Sequence, residues 1–549
     1  MFNYTFVLRI LITLFIVTFI RNAFSKRERA ALRIVAVLVL GDIGRSPRMM
    51  YHAESFANAQ FQTYLVGYAG SKPIPSLERL NVELVHLAET PSVFKRLPFL
   101  LLAPLKIAIQ ICTVLSALLY TIPHPPEYII VQNPPSIPTL ALVQLVCWLR
   151  GSKLIIDWHN LGYSILALKL GEKHVLVRIA REFEKFFGRS AHIHLFVTRA
   201  MRDHLIKIWD LQGIKVVLHD RPPSYFKRAE DFEIHDLFNK LAPSLSSPSL
   251  KQFLPRHNSP RSTPFTHLTR QGAPYGALTL DSELSDPSSP GSTFPALRAD
   301  RPALLVSSTS WTPDEDFSIL LDSLEMYEKR ARQANEEESV SSDDFEEINN
   351  DQTRLPKLLA IVTGKGPQKE FYMNEVARRE EVQGWRWVRC RSLWLEAEDY
   401  PVLLGSADLG VCLHSSSSNL DLPMKVVDMF GCGLPVCALH FPCLSELVKD
   451  RENGYTFKTA DELTSQLSNL LRGFPDAPQL AELRKSFKQC MSSRRHIKHD
   501  HRRHRSRGDE RMQVEEEEEG WCSWTENWNR VVKPLVLRDV ERVETSLIW

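Results

Sequence analysis

Apolar residues along this chain gather in short continuous runs separated by polar loops. The run 32–40 (LRIVAVLVL) is rich in β-branched residues and predicts a strand buried on both faces. Similar runs predict strands at 62–65, 82–87, 128–132, 153–157 and 193–197, with helical periodicity between them, as at 49–60 and 201–209. The pattern restarts with strands at 303–307, 358–363, 409–413 and 434–439, and with helices through Leu320, Leu321 and Leu324, at 445–448 and at 462–471. Strands alternating with helices predict an α/β protein built on parallel sheets, in two halves. Thr312 and Glu315 have capping-box spacing and Pro313 suits the first helical position, so a helix is expected to begin there. No sequence repeat relates the two halves.

Other stretches lack such patterning. Residues 244–297 are rich in Ser, Pro and Thr and read as a solvated linker, 334–353 as an acidic loop, and 492–519 as a disordered run from His/Arg into glutamates. An amphipathic helix resumes at 521–537. The expected organisation is an anchor at 1–30, an α/β domain at 31–230, a linker at 231–300, a second α/β domain at 301–475, a charged tract at 476–519 and a terminal helix at 520–549.

Residues 4–20 are apolar apart from Arg9 and three threonines, and Arg21, Lys26, Arg27 and Arg29 follow. This predicts one uncleaved membrane span with the rest of the chain in the cytosol. Residues 97–120 are also mostly apolar. They would form a second span or a helix on the membrane face; a second span would move the chain to the other side, which favours the surface helix. Composition adds little. Net charge is +2 and the basic residues mostly do not cluster, so nucleic acid is not an expected partner. The 9 cysteines form no CxxC pair and several sit in apolar patterns, as expected of free thiols in a reducing compartment.

Candidate chemistry lies where strands open into loops, the edge at which α/β sheets bind ligands. Gly41 to Arg48 follows the first strand and Ser308 to Trp311 the first strand of the second half. Gly364 and Gly366 let backbone approach a phosphate, with Lys365 between them supplying charge, although an ordinary β-to-α turn has the same spacing. No GxxxxGK[ST] pattern occurs, so nucleotide hydrolysis has no support. Asp421, Lys425 and Asp428 would share one face of a helix beginning near Asp421 and Pro423, either as a solvated stripe or as a site. Asp157, His159 and Asn160 end a strand, as a satisfied polar cluster or as the seat of a general base. Asp314, Glu315 and Asp316 could hold a divalent ion, but a helix cap accounts for them equally. His496, His499, His501 and His504 suit zinc by composition alone and lack a framework to fix geometry.

Several of these segments resemble one family. GDIGRSPRMMYHA (41–53), QNPPSIP (132–138), GSKLIIDWHNLGYSI (151–165), EKFFGR (184–189), RPALLVSSTSWTPDEDFSILL (301–321), VTGKGP (362–367) and the long run 394–437 are similar to the β-1,4-mannosyltransferases of asparagine-linked glycan assembly. The resemblance spans about 30–475 and the last helix. It implies a GT-B fold, with two Rossmann-like domains facing a cleft, and transfer of mannose from GDP-mannose to dolichyl-diphosphate-linked chitobiose with inversion. It places the work on the cytosolic face of the endoplasmic reticulum membrane, with other mannosyltransferases of the pathway as possible partners and no required metal. It implies donor-binding roles for Asp428, Lys425, Lys365, Gly364, Gly366, Ser308 and Asp421, a phosphate-facing loop at Gly44 and Arg45, and a base at His159 or Asp157. Related enzymes often carry a Glu eight residues before the Asp428 position, where this chain has Leu420. The alternatives are an α-mannosyltransferase of the same pathway, an inactive paralogue that scaffolds other mannosyltransferases, and a plain membrane-anchored interaction protein.

Overall fold

The computed structural model describes residues 33–89, 99–270, 293–313, 315–336, 354–416, 418–492 and 521–537. The expected anchor at 1–30, most of the acidic loop, the His/Arg and glutamate tract, and Asp314 lie outside them. The described residues divide into two compact units. The first holds 33–220, 418–422 and 524–537, and the second holds 221–416 and 423–523.

The first unit is a seven-stranded parallel sheet of β1 (Ile34–Asp42), β2 (Gln62–Tyr68), β3 (Glu83–Leu87), β4 (Tyr128–Asn133), β5 (Lys153–Trp158), β6 (Ser190–Phe196) and β7 (Gln212–Val217). The strand order is β3-β2-β1-β4-β5-β6-β7. β1 runs two residues past the expected end, to Asp42. Its alternate side chains feed two cores, as a sheet covered on both faces requires. Ile34, Ala36 and Leu38 pack with Leu118, Leu140 and Val143, whereas Val35, Val37 and Val39 pack with Met49, Phe56, Trp524 and Trp528. The helix Trp524–Val531 therefore belongs to the core of this unit, although it lies at the far end of the chain. The helix Phe99–Ser116 continues into a wider turn at Ala117–Thr121. Pro104–Thr121 is long and apolar enough to cross a membrane, and 22% of it is buried.

The second unit is a six-stranded parallel sheet of β10 (Ala303–Ser308), β11 (Leu358–Thr363), β12 (Val388–Leu393), β13 (Leu409–Cys412), β14 (Val436–Leu439) and β15 (Gly454–Phe457), beside a hairpin of β8 (Thr266–Arg270) and β9 (Thr293–Leu297). Its order, β12-β11-β10-β13-β14-β15, repeats the 3-2-1-4-5-6 arrangement of the first six strands of the other unit. Each sheet thus has a switch point, between β1 and β4 and between β10 and β13, where outgoing loops diverge and leave room for a ligand.

Three expectations change here. The stretch 244–297 is not simply a linker. It carries the helix Pro248–Phe253 and both hairpin strands, anchored by buried Leu250, Phe253 and Phe265, with the Phe265 ring 4.1 Å from that of Phe238. A few large apolar residues scattered among Ser, Pro and Thr carry this burial without leaving a period. The helix expected from Pro313 begins instead at Phe317, where Asp316 accepts from the Ser318 amide at 3.0 Å. Glu315 is drawn elsewhere. The helix expected near Asp421 is Met424–Gly431, so Asp421 precedes it and the stripe keeps only Lys425 and Asp428.

One buried charge ties the start of the second sheet together. Asp408 is 1% exposed; it accepts from Arg301 at 2.7 and 3.0 Å, from Arg484 at 3.1 Å and from the Leu304 amide at 2.9 Å. Burial alone would raise its pKa, but the two guanidiniums and the amide lower it to about 2. Its stabilisation is therefore complete above the ordinary carboxylate range and lost as pH falls through about 2. Asp408→Ala leaves Arg301 facing an empty buried site and is predicted to cost on the order of 3–5 kcal/mol. A thermal melt should show a midpoint lower by roughly 10 °C.

Candidate active site

The C-terminal end of β5 delivers Asp157 into the interior of the first unit, where it is 0% exposed. An isolated carboxylate there would be strongly disfavoured, so it must be paired. The helix Pro47–Asn58, which starts directly after the β1 loop, supplies the pairing. Arg48 Nε donates to Asp157 Oδ2 and Nη2 to Oδ1, both at 2.8 Å, while Nη1 reaches Asp220 at 2.7 Å. One turn on, His52 Nε2 lies 3.2 Å from Asp157 Oδ2. His159 Nε2 lies 2.8 Å from the same oxygen, and the His159 side chain is 22% exposed. Burial would raise the Asp157 pKa, but Arg48 and His159 hold it well below the usual carboxylate range. Ionised, it only accepts, so the ring nitrogen of His159 facing it is Nε2–H, and in the neutral form of the ring the lone pair is on Nδ1.

Two further loops meet this edge. Asp42 ends β1 and accepts from the amides of Gly44 at 3.0 Å and Ser71 at 2.8 Å, folding the loop tightly. A Cβ at Gly44 would lie 2.3 Å from the Ser71 carbonyl oxygen, so only glycine fits there. Arg45 stands out from this turn with 78% of its side chain exposed, Nε 3.2 Å from Ser71 Oγ. Beyond His159, buried Glu184 accepts from the amides of Gly162 at 3.0 Å and Tyr163 at 3.2 Å, and from Asn133 Nδ2 at 2.5 Å. It clips the β5 loop to the end of β4. Burial raises its pKa against the pull of those donors.

In the second unit, Gly364 and Gly366 carry the loop after β11 across the loop after β10. Gly364 has φ +126°, and a Cβ at either glycine would lie 1.8 Å from a backbone oxygen, of Thr309 or Ser310. Lys365 between them places Nζ 3.7 Å from the centre of the Trp394 ring. Ser308 Oγ lies 3.0 Å from the Tyr400 hydroxyl and accepts from Thr363 Oγ1 at 3.0 Å. Burial, with the charge of Asp428 nearby, pushes that hydroxyl's pKa up. Glu315, 3% exposed, accepts from Thr309 Oγ1 at 2.5 Å and the Ser310 amide at 2.6 Å, and forms an ion pair with Lys425. His414 Nδ1 lies 4.0 Å from the same carboxylate. The structure thus gathers Ser308, Gly364 and Gly366 around neighbouring strand ends, Lys425 with Glu315, and Asp428 with Tyr400. Asp421 is not among them; it accepts from Ser418 Oγ at 3.3 Å in the segment that belongs to the first unit. Among the described residues, no group of three or more His, Cys, Asp or Glu side chains is placed to hold a metal ion.

Known proteins resemble this chain in sequence and in fold. The chain is 41% identical over 520 residues to the human chitobiosyldiphosphodolichol beta-mannosyltransferase, covering 93% of this chain and 94% of that one. The chain belongs to the chitobiosyldiphosphodolichol β-mannosyltransferase family. Its Dictyostelium discoideum member is 39% identical over 79% of this chain and 83% of its own, and the Arabidopsis thaliana "UDP-glycosyltransferase TURAN" is 38% identical over 95% and 100%. Residues 341–473 match the family described as "Glycosyl transferases group 1". Among solved structures, Anabaena HepE in complex with UDP-glucose superposes with a TM-score of 0.50 at 15% identity, over 83% of this chain and 94% of that one. Sucrose-phosphate synthase from Thermosynechococcus elongatus gives 0.50 at 11% identity, over 83% and 93%. These two likenesses establish the GT-B fold.

In this β-mannosyltransferase-family chain the sequence carries no sign of a role for His52 or Glu184, and it marks Arg48 only as a loop end and Glu315 only as a cap or divalent-ion ligand. The sequence places Arg48 at the end of the loop before the helix expected at 49–60; the helix begins at Pro47 instead, and the spacing of four then puts Arg48 and His52 on one face. Glu184 shares the buried stripe of Val177, Ala180 and Gly188, a carboxylate in an apolar period. Glu315 was absorbed by its capping-box spacing.

The glycine crossing makes a direct prediction. Gly384 also has positive φ, +57°, but nothing lies within 4 Å of its would-be Cβ. Gly384→Ala should cost about 1 kcal/mol of left-handed strain. Gly364→Ala adds a backbone collision in a region open essentially to glycine alone, and should cost clearly more. Paired denaturant titrations of the two variants measure the difference.

Proposed function

We propose that the chain transfers mannose from GDP-mannose to the 4-hydroxyl of the distal GlcNAc of chitobiosyl diphosphodolichol, in β linkage. The observation that supports this reading best is the His159–Asp157 pair at 2.8 Å, set on Arg48 in a member of this family. The donor is α-linked, so one in-line displacement gives a β product. The acceptor oxygen bonds to the anomeric carbon as the bond to the phosphate oxygen breaks, its electron pair leaving with GDP. The acceptor proton goes to His159 Nδ1. Asp157 orients the ring and stabilises the imidazolium that forms, the usual part of a buried carboxylate behind a histidine base. The base is therefore His159, and Asp157 positions it.

Donor contacts fall to the second unit. Lys425 and Lys365 offset the charge that grows on the departing diphosphate. Gly364 and Gly366 allow close backbone approach, Ser308 and Tyr400 shape the strand end, and Asp428 takes the ribose hydroxyls. Gly44 and Arg45 contribute a second phosphate-facing loop. We assign Asp421 to loop structure rather than to the donor. The lipid acceptor sets the location: a membrane-bound chain acting on the cytosolic face of the endoplasmic reticulum, with Pro104–Thr121 as a second apolar segment in addition to the expected anchor.

The name of the Arabidopsis relative favours a second reading, a UDP-sugar donor. Competition decides between them. Unlabelled GDP-mannose, and not UDP-glucose, should suppress transfer of labelled mannose to the chitobiosyl lipid; suppression by the UDP-sugar alone would replace the donor assignment.

His159→Ala should lower kcat by about 10²–10⁴-fold with the KM for GDP-mannose nearly unchanged. A variant that loses donor affinity instead removes His159 from the base role. Asp428→Asn should weaken GDP-mannose binding in calorimetry without changing the melting temperature. It is a cleaner donor test than Lys425→Ala, which also strips buried Glu315 of its counter-charge.

A further inference from the structure

The buried side of the candidate base continues beyond Asp157. His52 is 0% exposed, and its Nδ1 lies 3.2 Å from the indole Nε1 of Trp528. An indole nitrogen only donates, so His52 Nδ1 accepts and the ring proton sits on Nε2. That nitrogen faces Asp157 Oδ2 at 3.2 Å, the oxygen that His159 also contacts. The other neutral tautomer of His52 would set a lone pair against the carboxylate and an N–H against the indole N–H. Burial lowers the His52 pKa, so the ring stays neutral and the tautomer matters.

Neighbouring groups hold this geometry. Trp524 stands edge-on to the His52 ring at 5.1 Å, donates from Nε1 to Ser55 Oγ at 3.0 Å, and lies 5.3 Å from the Arg48 guanidinium. The Trp528 ring packs edge-on against Phe56 at 5.1 Å. Asn527, between the two tryptophans, donates to the His219 carbonyl at 2.9 Å, next to Asp220, the second partner of Arg48.

We propose that Trp528, from the C-terminal helix, is a positioning residue for the transfer reaction: its N–H selects the His52 tautomer that donates to Asp157, and thereby fixes the carboxylate that orients His159. Trp528 is buried, so its part is played through His52. The proposal rests on the reading of His159 as the base.

Steady-state kinetics of the full chain tests it, with GDP-mannose and a chitobiosyl diphospho-lipid. Trp528→Phe keeps an aromatic ring but loses the N–H donor together with the volume of the second ring, and should lower kcat about tenfold or more while both KM values stay within about twofold. His52→Leu should do the same. His52→Gln can accept from the indole through its oxygen and donate to Asp157 through its nitrogen, and should recover most of the turnover lost in His52→Leu. A wild-type kcat for Trp528→Phe overturns the proposal. Equal losses in His52→Gln and His52→Leu, with KM rising alongside, also overturn it, since that is the mark of a packing role. Normal turnover in His159→Ala would instead remove the underlying base assignment. Impaired His159→Ala beside normal Trp528→Phe removes only the relay.

Discussion

A carboxylate with no solvent contact sits at the end of β5, and the first unit is arranged around the need to keep it charged. Removing one charge of a buried pair commonly costs several kcal/mol, so Asp157 demands Arg48 and Arg48 demands a second acceptor in Asp220. That requirement places the helix Pro47–Asn58 against the sheet edge, with Arg48 and His52 facing inward. It also explains why the far end of the chain returns. Trp524 and Trp528 close the buried side of the cluster with rings and indole donors, leaving His159 as its partly exposed member.

The second unit meets the same problem at the equivalent edge of a sheet with the same strand order. Glu315 is buried beside the loop that follows β10, satisfied by Thr309, Ser310 and Lys425. In one unit a buried carboxylate orients a histidine; in the other it orients a lysine. Both lie at the loop end of a parallel sheet, the edge where such sheets bind ligands, and both hold a partner side chain with a charge inside the protein. Under the proposed function, the first arrangement serves proton removal from the acceptor and the second neutralisation of the diphosphate.

Much of this was legible in the residues. Continuous apolar runs such as 32–40 and 358–363 marked the central strands, since a strand covered on both faces has no reason to alternate. Asp157 and His159 were visible because polar residues ending such a run are unusual. Their partners were not, since Arg48 is 109 residues away and Trp528 belongs to another helix altogether. The edge strand β12 escaped because Arg389 and Arg391 interrupt its apolar pattern, with Arg391 paired to Glu380 at 2.7 Å. Glu315 illustrates a different limit. Its spacing from Thr312 fits a helix cap, and only the tertiary pull of Thr309, Ser310 and Lys425 sends it elsewhere. The charge stripe on the helix Met424–Gly431 was two-thirds right: Lys425 and Asp428 are on it, and Asp421 is not.

The central claim is inverting transfer of mannose to a chitobiosyl lipid, and the stereochemistry of the new bond tests it most directly. The purified chain would be incubated with labelled GDP-mannose and GlcNAc2-diphospho-lipid, and the isolated product digested with β-mannosidase and, separately, α-mannosidase. Release of label by β-mannosidase alone is the predicted result. A product resistant to β-mannosidase and cleaved by α-mannosidase would contradict it.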